Sequence, residues 1–207
     1  HVHAEPSIAA LERGVPVLCE KPLSNDLESA ERMASAASEA EVPTATAFNY
    51  RYVPALRYAK NLIEDGELGE IRQFRGRYLQ DWLVDPEAPW SWRNDEAMAG
   101  SGALGDLGAH TVDLARFLVG DVERVSGHLQ TFVDERPVEG EGETPEESPD
   151  GGGTAERETR EVTVDDAYSA HAELDGGVMA TFEASRFATG HKNDHTIEVH
   201  GSKGSLK

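Results

Sequence analysis

Three side chains in this sequence are of types that could handle a proton and a developing negative charge. Lys21 directly follows an apolar, strand-like run, Val15-Pro16-Val17-Leu18-Cys19, and the turn Glu20-Lys21-Pro22 closes that run. In an alternating α/β unit the ligand crevice lies at the carboxyl ends of the strands. An ammonium held there stabilises negative charge on a substrate oxygen, which is the electrostatic help an alcohol needs while it loses hydride; Pro22 stiffens the turn beside it. Asp106 and His110 stand four apart on a strongly helical segment and share one face, beside its apolar stripe. Imidazole is the natural acid/base near neutral pH, and a neighbouring carboxylate can orient it or hold a second hydroxyl. Taken alone, the pair is better explained as a cap or surface ion pair, and Lys21 as a solvated lysine; the three together point to one small-molecule site.

One motif is rejected. Gly100-Ser101-Gly102-Ala103-Leu104-Gly105 matches the glycine pattern that lets a backbone approach a pyrophosphate. That fingerprint needs a hydrophobic strand just before it, whereas Asp95-Glu96-Ala97-Met98-Ala99 is polar and helix-prone, and no ribose-binding acid follows a second strand. The glycines are expected to bring a loop closely into the next helix. A metal site on Asp106, His110 and another histidine is not expected, because the remaining histidines show no compact ligand spacing. Trp82, Trp90 and Trp92 could form a stacking wall for a sugar face or act as packing anchors, with equal weight.

The elements that must position these residues change character along the chain. A short helix over Pro6 to Arg13, stopped by Gly14, leads into the Val15–Cys19 strand. Ser24 or Asn25 caps a helix with Leu27, Ala30, Met33 and Ala37 on one side, and Val42 to Phe48 reads as a second strand. That rhythm belongs to a parallel sheet. A further helix starts at Pro54, buries Leu56, Ala59 and Ile63, and ends at Gly66. Period-two patterns then predict strands over Ile71–Leu79, Val122–Val133, Val162–Leu174, Val178–Ser185 and Thr196–His200, with a turn at Asp175-Gly176-Gly177. The helix from about Leu104 to Leu118 interrupts them, with Leu107, Thr111, Leu114 and Leu118 along one stripe. The fold class is an α/β remnant of a Rossmann-like unit followed by an α+β domain with an open, mainly antiparallel sheet.

Composition narrows the partners. The 207 residues hold 39 Asp and Glu against 19 Lys and Arg, a formal net charge of -20, far beyond what solubility requires. Nucleic acid and anionic membrane are therefore excluded as expected partners, and a salt-adapted source is expected. The single cysteine, Cys19, rules out an internal disulfide and reads as a small core residue. No apolar run approaches the ~20 residues of a membrane span and no signal segment opens the chain, so a cytoplasmic location is expected. Residues 134–160 are rich in Glu, Gly and Pro and are expected to form a disordered, solvated acidic loop.

The chain resembles the Gfo/Idh/MocA oxidoreductase family in several ordered blocks. These are His3-Ala4-Glu5 with Ala9-Ala10-Leu11; Val17-Leu18-Cys19-Glu20-Lys21-Pro22; Phe48-Asn49-Tyr50-Arg51-Tyr52; Gly66-Glu67-Leu68-Gly69-Glu70-Ile71; Gly105-Asp106-Leu107-Gly108-Ala109-His110 with Asp113-Leu114; and Gly201-Ser202-Lys203-Gly204-Ser205-Leu206. The match spans nearly the whole chain except the acidic loop. The resemblance implies a Rossmann unit binding NAD or NADP and an α+β domain whose open sheet mediates homo-oligomerisation. It implies that Lys21 and His110 are catalytic, His110 as proton acceptor and Lys21 polarising the reacting hydroxyl, while Asp106 orients substrate or His110. It places Glu20 and Lys21 near the nicotinamide, Asn49 with Asp106 and His110 in the substrate cleft, and Trp92-Arg93 on a loop reaching cofactor or substrate.

By the same resemblance, residues 1–48 correspond to the C-terminal remnant of the dinucleotide-binding domain and 49–207 to the substrate and oligomerisation domain. The family's glycine loop and ribose-selecting acid should precede His1, and the family usually continues beyond Lys207. The implied activity is hydride transfer between NAD(P) and a secondary alcohol of a sugar, inositol or polyol. The alternative is a non-catalytic relative or shortened product acting through sheet-mediated association.

Overall fold

The computed structural model describes residues 2–138 and 158–207. The first unit is small. Helix α1, Ala4–Leu11, leads to strand β1, Val17–Cys19; helix α2, Leu27–Glu39, leads to β2, Thr44–Thr46. The strands pair in parallel with Val17 opposite Thr44, as the α/β rhythm predicts, though each is only three residues long. Cys19 is buried against Ala4 and Met33 in a minor core that Ile8, Val17 and Leu23 flank. The cap of α2 is Asp26, not Ser24 or Asn25. Its extended backbone aims the carboxylate at the first turn, where Ser29 N–H donates to it at 2.7 Å. Leu27, expected on the buried stripe, is exposed.

A 3₁₀ turn, Asn49–Tyr52, joins this unit to α3, Pro54–Glu64, which begins at the proline and gives way to the left-handed Gly66. The second unit is a six-stranded sheet in the order β10-β9-β3-β8-β7-β4. Its strands are β3, Ile71–Leu79; β4, Val122–Gln130; β7, Ala167–Leu174; β8, Val178–Ser185; β9, Asp194–Gly201; and β10, Ser205–Leu206. One pairing of the five, β3 with β8, is parallel and the others are antiparallel, so the sheet is mixed but mainly antiparallel as expected. One face carries the core: Phe74 and Tyr78 from β3, Phe182 from β8, Tyr168 and Leu174 from β7, and Val199 from β9, covered by the helix α5, Ala109–Leu118. The side chains alternating with them, among them Arg75, Arg77, His171 and Glu183, stand on the opposite face.

The strand expected over Val162–Leu174 starts only at Ala167. Asp165 and Asp166 break it, because their carboxylates turn away to accept backbone N–H groups of other segments: Gly102 and Leu104 for Asp165, Phe132 and Val133 for Asp166. The long predicted helix is also divided. Leu104–Gly108 forms a π turn, in which the Ala109 N–H reaches back to the Leu104 carbonyl, before α5 continues as an α-helix.

Most of the acidic segment lies outside the described residues. At its borders, where only loop is expected, β5, Glu135–Pro137, pairs with β6, Thr159–Glu161. Arg136 explains the ribbon: it is fully buried and donates to the carbonyls of Leu83, Asp85 and Ala88, anchoring the segment between β3 and the short helix α4, Glu96–Ala99. Among the described residues no helix is long and apolar enough to cross a membrane.

Candidate active site

The turn after β1 is fixed from behind, where the His3 ring Nδ1–H donates to the Pro22 carbonyl at 3.0 Å; the Lys21-Pro22 peptide is cis. This leaves Lys21 directed at the π turn of the second unit. Its ammonium donates to the Asp106 carbonyl oxygen at 2.7 Å and to carboxylate Oδ1 at 3.2 Å, although the two residues lie 85 positions apart. An ammonium has three N–H donors, and these contacts use two.

The other oxygen of Asp106 is held as well. Arg186, just past β8, places Nη2 3.3 Å from Oδ2, and its side chain is 1% exposed. Burial pushes the Asp106 carboxyl upward, but the charges of Arg186, Lys21 and Arg93 outweigh it and hold the group below the usual carboxylate range. Asp106 is thus an anion at neutral pH.

His110 follows one turn later at the start of α5. Its Nδ1 is sealed from solvent and has no hydrogen-bond partner among the described residues. The ring rests on Tyr50, centroid to centroid 4.6 Å, with Phe48 edge-on at 6.0 Å and Tyr78 at 6.2 Å. Burial, the positive charge of Lys21 and the neighbouring His195 bring its pKa down to about 4 against a weaker opposing pull from Asp106, so the imidazole is neutral near pH 7. Behind it His195 stacks on Tyr78 at 4.4 Å and 4°, and its Nε2 lies 3.2 Å from Thr111 Oγ1. The Tyr78 hydroxyl donates to Asn193 Oδ1 at 2.7 Å and lies 2.9 Å from the Tyr50 hydroxyl.

The structure therefore brings Lys21, Asp106 and His110 to one place. Glu20 is exposed beside them and accepts from the Lys21 backbone N–H at 3.3 Å. Asn49 is exposed on the 3₁₀ turn, next to the Tyr50 that touches His110. Trp92 and Arg93 are exposed, with the guanidinium 4.4 Å from the indole ring centroid. Each of the three tryptophans carries an arginine: Arg186 on Trp82, Arg160 on Trp90 and Arg93 on Trp92. Trp90 is a packing anchor, since its indole N–H donates to the Glu161 carbonyl of the ribbon. Trp82 and Trp92 keep open faces.

The glycine-rich loop is closed to a pyrophosphate. The Asp165 carboxylate accepts from the N–H groups of Gly102, at 2.7 Å, and Leu104, at 2.8 Å, so the loop's amides already hold an anion. A Cβ on Gly102 would overlap the Asp165 carbonyl, and one on Gly100, whose φ is 80°, would overlap that of Asn25. Among the described residues no cluster of three or more His, Cys, Asp or Glu suits a metal.

Sequence reasoning missed Arg186, Tyr50, Tyr78 and His195. Nothing in their local pattern separates them from ordinary strand-end or core residues; for Tyr50, its place in the block Asn49-Tyr50-Arg51 was the available signal.

Two family models match the chain: one described as a GFO/IDH/MocA C-terminal domain over residues 56–207, and one as an oxidoreductase family, NAD-binding Rossmann fold, over residues 1–48. Levoglucosan dehydrogenase of Pseudarthrobacter phenanthrenivorans is 42% identical over 206 residues, covering 100% of this chain and 52% of that protein. The solved structure of levoglucosan dehydrogenase in complex with NADH and L-sorbose superposes with a TM-score of 0.89 at 42% identity, over 99% of this chain and 51% of that one. An oxidoreductase domain protein from Kribbella flavida is 51% identical with a TM-score of 0.88, over 99% and 52%. The chain spans about half the length of these relatives. On the extent of these matches, the chain belongs to the GFO/IDH/MocA oxidoreductase family.

Proposed function

We propose that this chain supplies the acid–base and substrate-positioning half of an NAD(P)-dependent dehydrogenase acting on a secondary alcohol of a sugar, inositol or polyol. The observation that carries the reading is a neutral, half-buried imidazole beside an ammonium–carboxylate pair, assembled from two distant segments. When bound, the nicotinamide supplies the hydride acceptor in one direction and the donor in the other.

The residues present fit the nicotinamide end of such a cofactor. The turn Glu20-Lys21-Pro22 lies at a strand carboxyl end, where α/β folds gather ligands, and the Lys21 ammonium there is partly exposed with one donor to spare. Glu20, Lys21, Trp92 and Arg93 would line that end. The phosphate end finds no counterpart among the described residues, since the glycine loop is filled by Asp165.

For oxidation, His110 Nε2 takes the hydroxyl proton, because Nδ1 is sealed away. The third N–H of Lys21 donates to the same oxygen and stabilises its developing charge. Asp106 holds Lys21 in line, and Asn49, on the turn beside Tyr50, binds a second hydroxyl. In the reducing direction His110 returns the proton.

An excess of acid over base of this size fits life in high salt. The bare outer face of the sheet, with Arg75, Arg77, Ser169, His171, Thr181 and Glu183, suits pairing with a second copy. The division of labour between residues 1–48 and 49–207 follows the same reading.

Calorimetric titration of NAD and NADP in molar salt, followed by dehydrogenase assays on polyols, tests the proposal. Micromolar binding with turnover that falls at least about a hundredfold in His110→Ala supports it. Turnover within a few-fold of wild type in that variant sinks the assignment.

A further inference from the structure

We propose that Arg186 is the positioning residue of this site, holding the Asp106 carboxylate in the orientation that keeps Lys21 on the reacting oxygen. This rests on the reading of Lys21, Asp106 and His110 given above.

The geometry gives each Asp106 oxygen its own cation, Lys21 on Oδ1 at 3.2 Å and Arg186 on Oδ2 at 3.3 Å. The two cations differ in what they are free to do. Lys21 retains some exposure and a spare donor. Arg186 is sealed: its backbone N–H donates to the Asp166 carbonyl at 2.9 Å, its own carbonyl accepts from Leu83 at 3.2 Å, and Trp82 lies 5.4 Å from its guanidinium. Its Nε and Nη1 are buried without hydrogen-bond partners among the described residues. A buried guanidinium so placed cannot swing out to water, and its charge is compensated by the carboxylates around it, Asp106 above all.

The terminal torsion of an aspartate is broad. Without a fixed cation on Oδ2 the carboxylate is free to rotate; Lys21 would keep its bond to the Asp106 carbonyl but lose the second contact, to Oδ1, that sets the direction of its remaining N–H. Arg186 is also the leading positive charge that keeps Asp106 ionised against its burial. The other charged or titratable groups facing Asp106 are Lys21 from the β1 turn, Arg93 from the tryptophan loop, His110 one turn on and Tyr78 from β3.

The test combines two readouts. In the chain itself, the Asp106 carboxyl titration is followed by carbon NMR, with Asp106→Asn assigning the resonance. Arg186→Met and Arg186→Gln should move that titration to higher pH, and Arg186→Lys should leave it nearer wild type. In the gene product that carries this chain, the two neutral variants should lower kcat about tenfold or more with the sugar KM changed less than about threefold, and Arg186→Lys should recover part of the loss. In an Asp106→Asn background, Arg186→Met should cost less than about twofold.

An unmoved Asp106 titration, or a full tenfold loss persisting in the Asp106→Asn background, overturns the proposal. Failure of both neutral variants to fold makes Arg186 a structural residue and overturns it too. The carboxyl titration needs no turnover, so it separates failure of this inference from failure of the catalytic reading, which His110→Ala decides.

Discussion

The Lys21 ammonium spans the boundary between the two units to reach the Asp106 carbonyl at 2.7 Å and its carboxylate at 3.2 Å. A lysine on the smaller unit is thereby seated by the larger one. Lys21→Ala should lower kcat about a hundredfold, since it removes the donor to the developing oxyanion. The unfolding free energy should change by no more than about 1 kcal/mol, because the pair is partly solvated. Steady-state kinetics beside denaturant unfolding distinguishes this from a structural role: a large stability loss with a small kcat change would contradict it.

Acidification should weaken the fold in a defined window. His110 and His195 are each pulled from 6.5 to about 4, by burial first, with Lys21 adding to the effect on His110. Between those values the unfolded chain binds more protons than the native one, so stability is full above 6.5 and falls as pH drops towards 4. Denaturant midpoints should decline steadily over that range. His195→Gln should flatten the decline relative to wild type; an identical slope would show that His195 does not contribute.

Arg51 grips Asp113 through two hydrogen bonds, Nε to Oδ2 at 2.8 Å and Nη2 to Oδ1 at 2.6 Å, and so ties the 3₁₀ turn carrying Asn49 and Tyr50 to α5 carrying His110. Asp113→Asn should cost about 1–2 kcal/mol, discounted because Arg51 is partly solvated. Raised mobility of Tyr50 in NMR relaxation should accompany it. An unchanged melting temperature would remove the tie from the account of the site.

Gly102→Ala tests the loop that precedes Asp106. The new methyl would overlap the Asp165 backbone carbonyl, which accepts from the Ala103 N–H at 2.9 Å. A loss of about 1–3 kcal/mol or more is expected in thermal unfolding, whereas Gly204→Ala, with open space around it, should be near neutral.

The legible parts of this molecule were those where local chemistry and period agreed. The β3 and β8 boundaries coincide with the predicted Ile71–Leu79 and Val178–Ser185, because strict alternation marks a sheet with one buried face. Lys21, Asp106 and His110 could be singled out because each has a residue type suited to proton or charge handling. Arg186 could not, since an arginine after a strand looks the same whether it ends in water or under Trp82; only the parallel β3–β8 pairing, a long-range event, encloses it. The π turn was hidden for a related reason: its apolar stripe continues into α5 without a break in period. Asp165 and Asp166 carried a local warning, two acids inside an apolar alternation, but their partners lie more than 30 residues away.

The amides of Gly102 and Leu104 form the kind of pocket that elsewhere receives a mobile phosphate. Here the occupant is tethered. Because Asp165 belongs to the same chain, it does not dissociate and no dilution empties the pocket. The cost of ordering that contact falls on folding, so the loop leading into Asp106 is set before any ligand arrives.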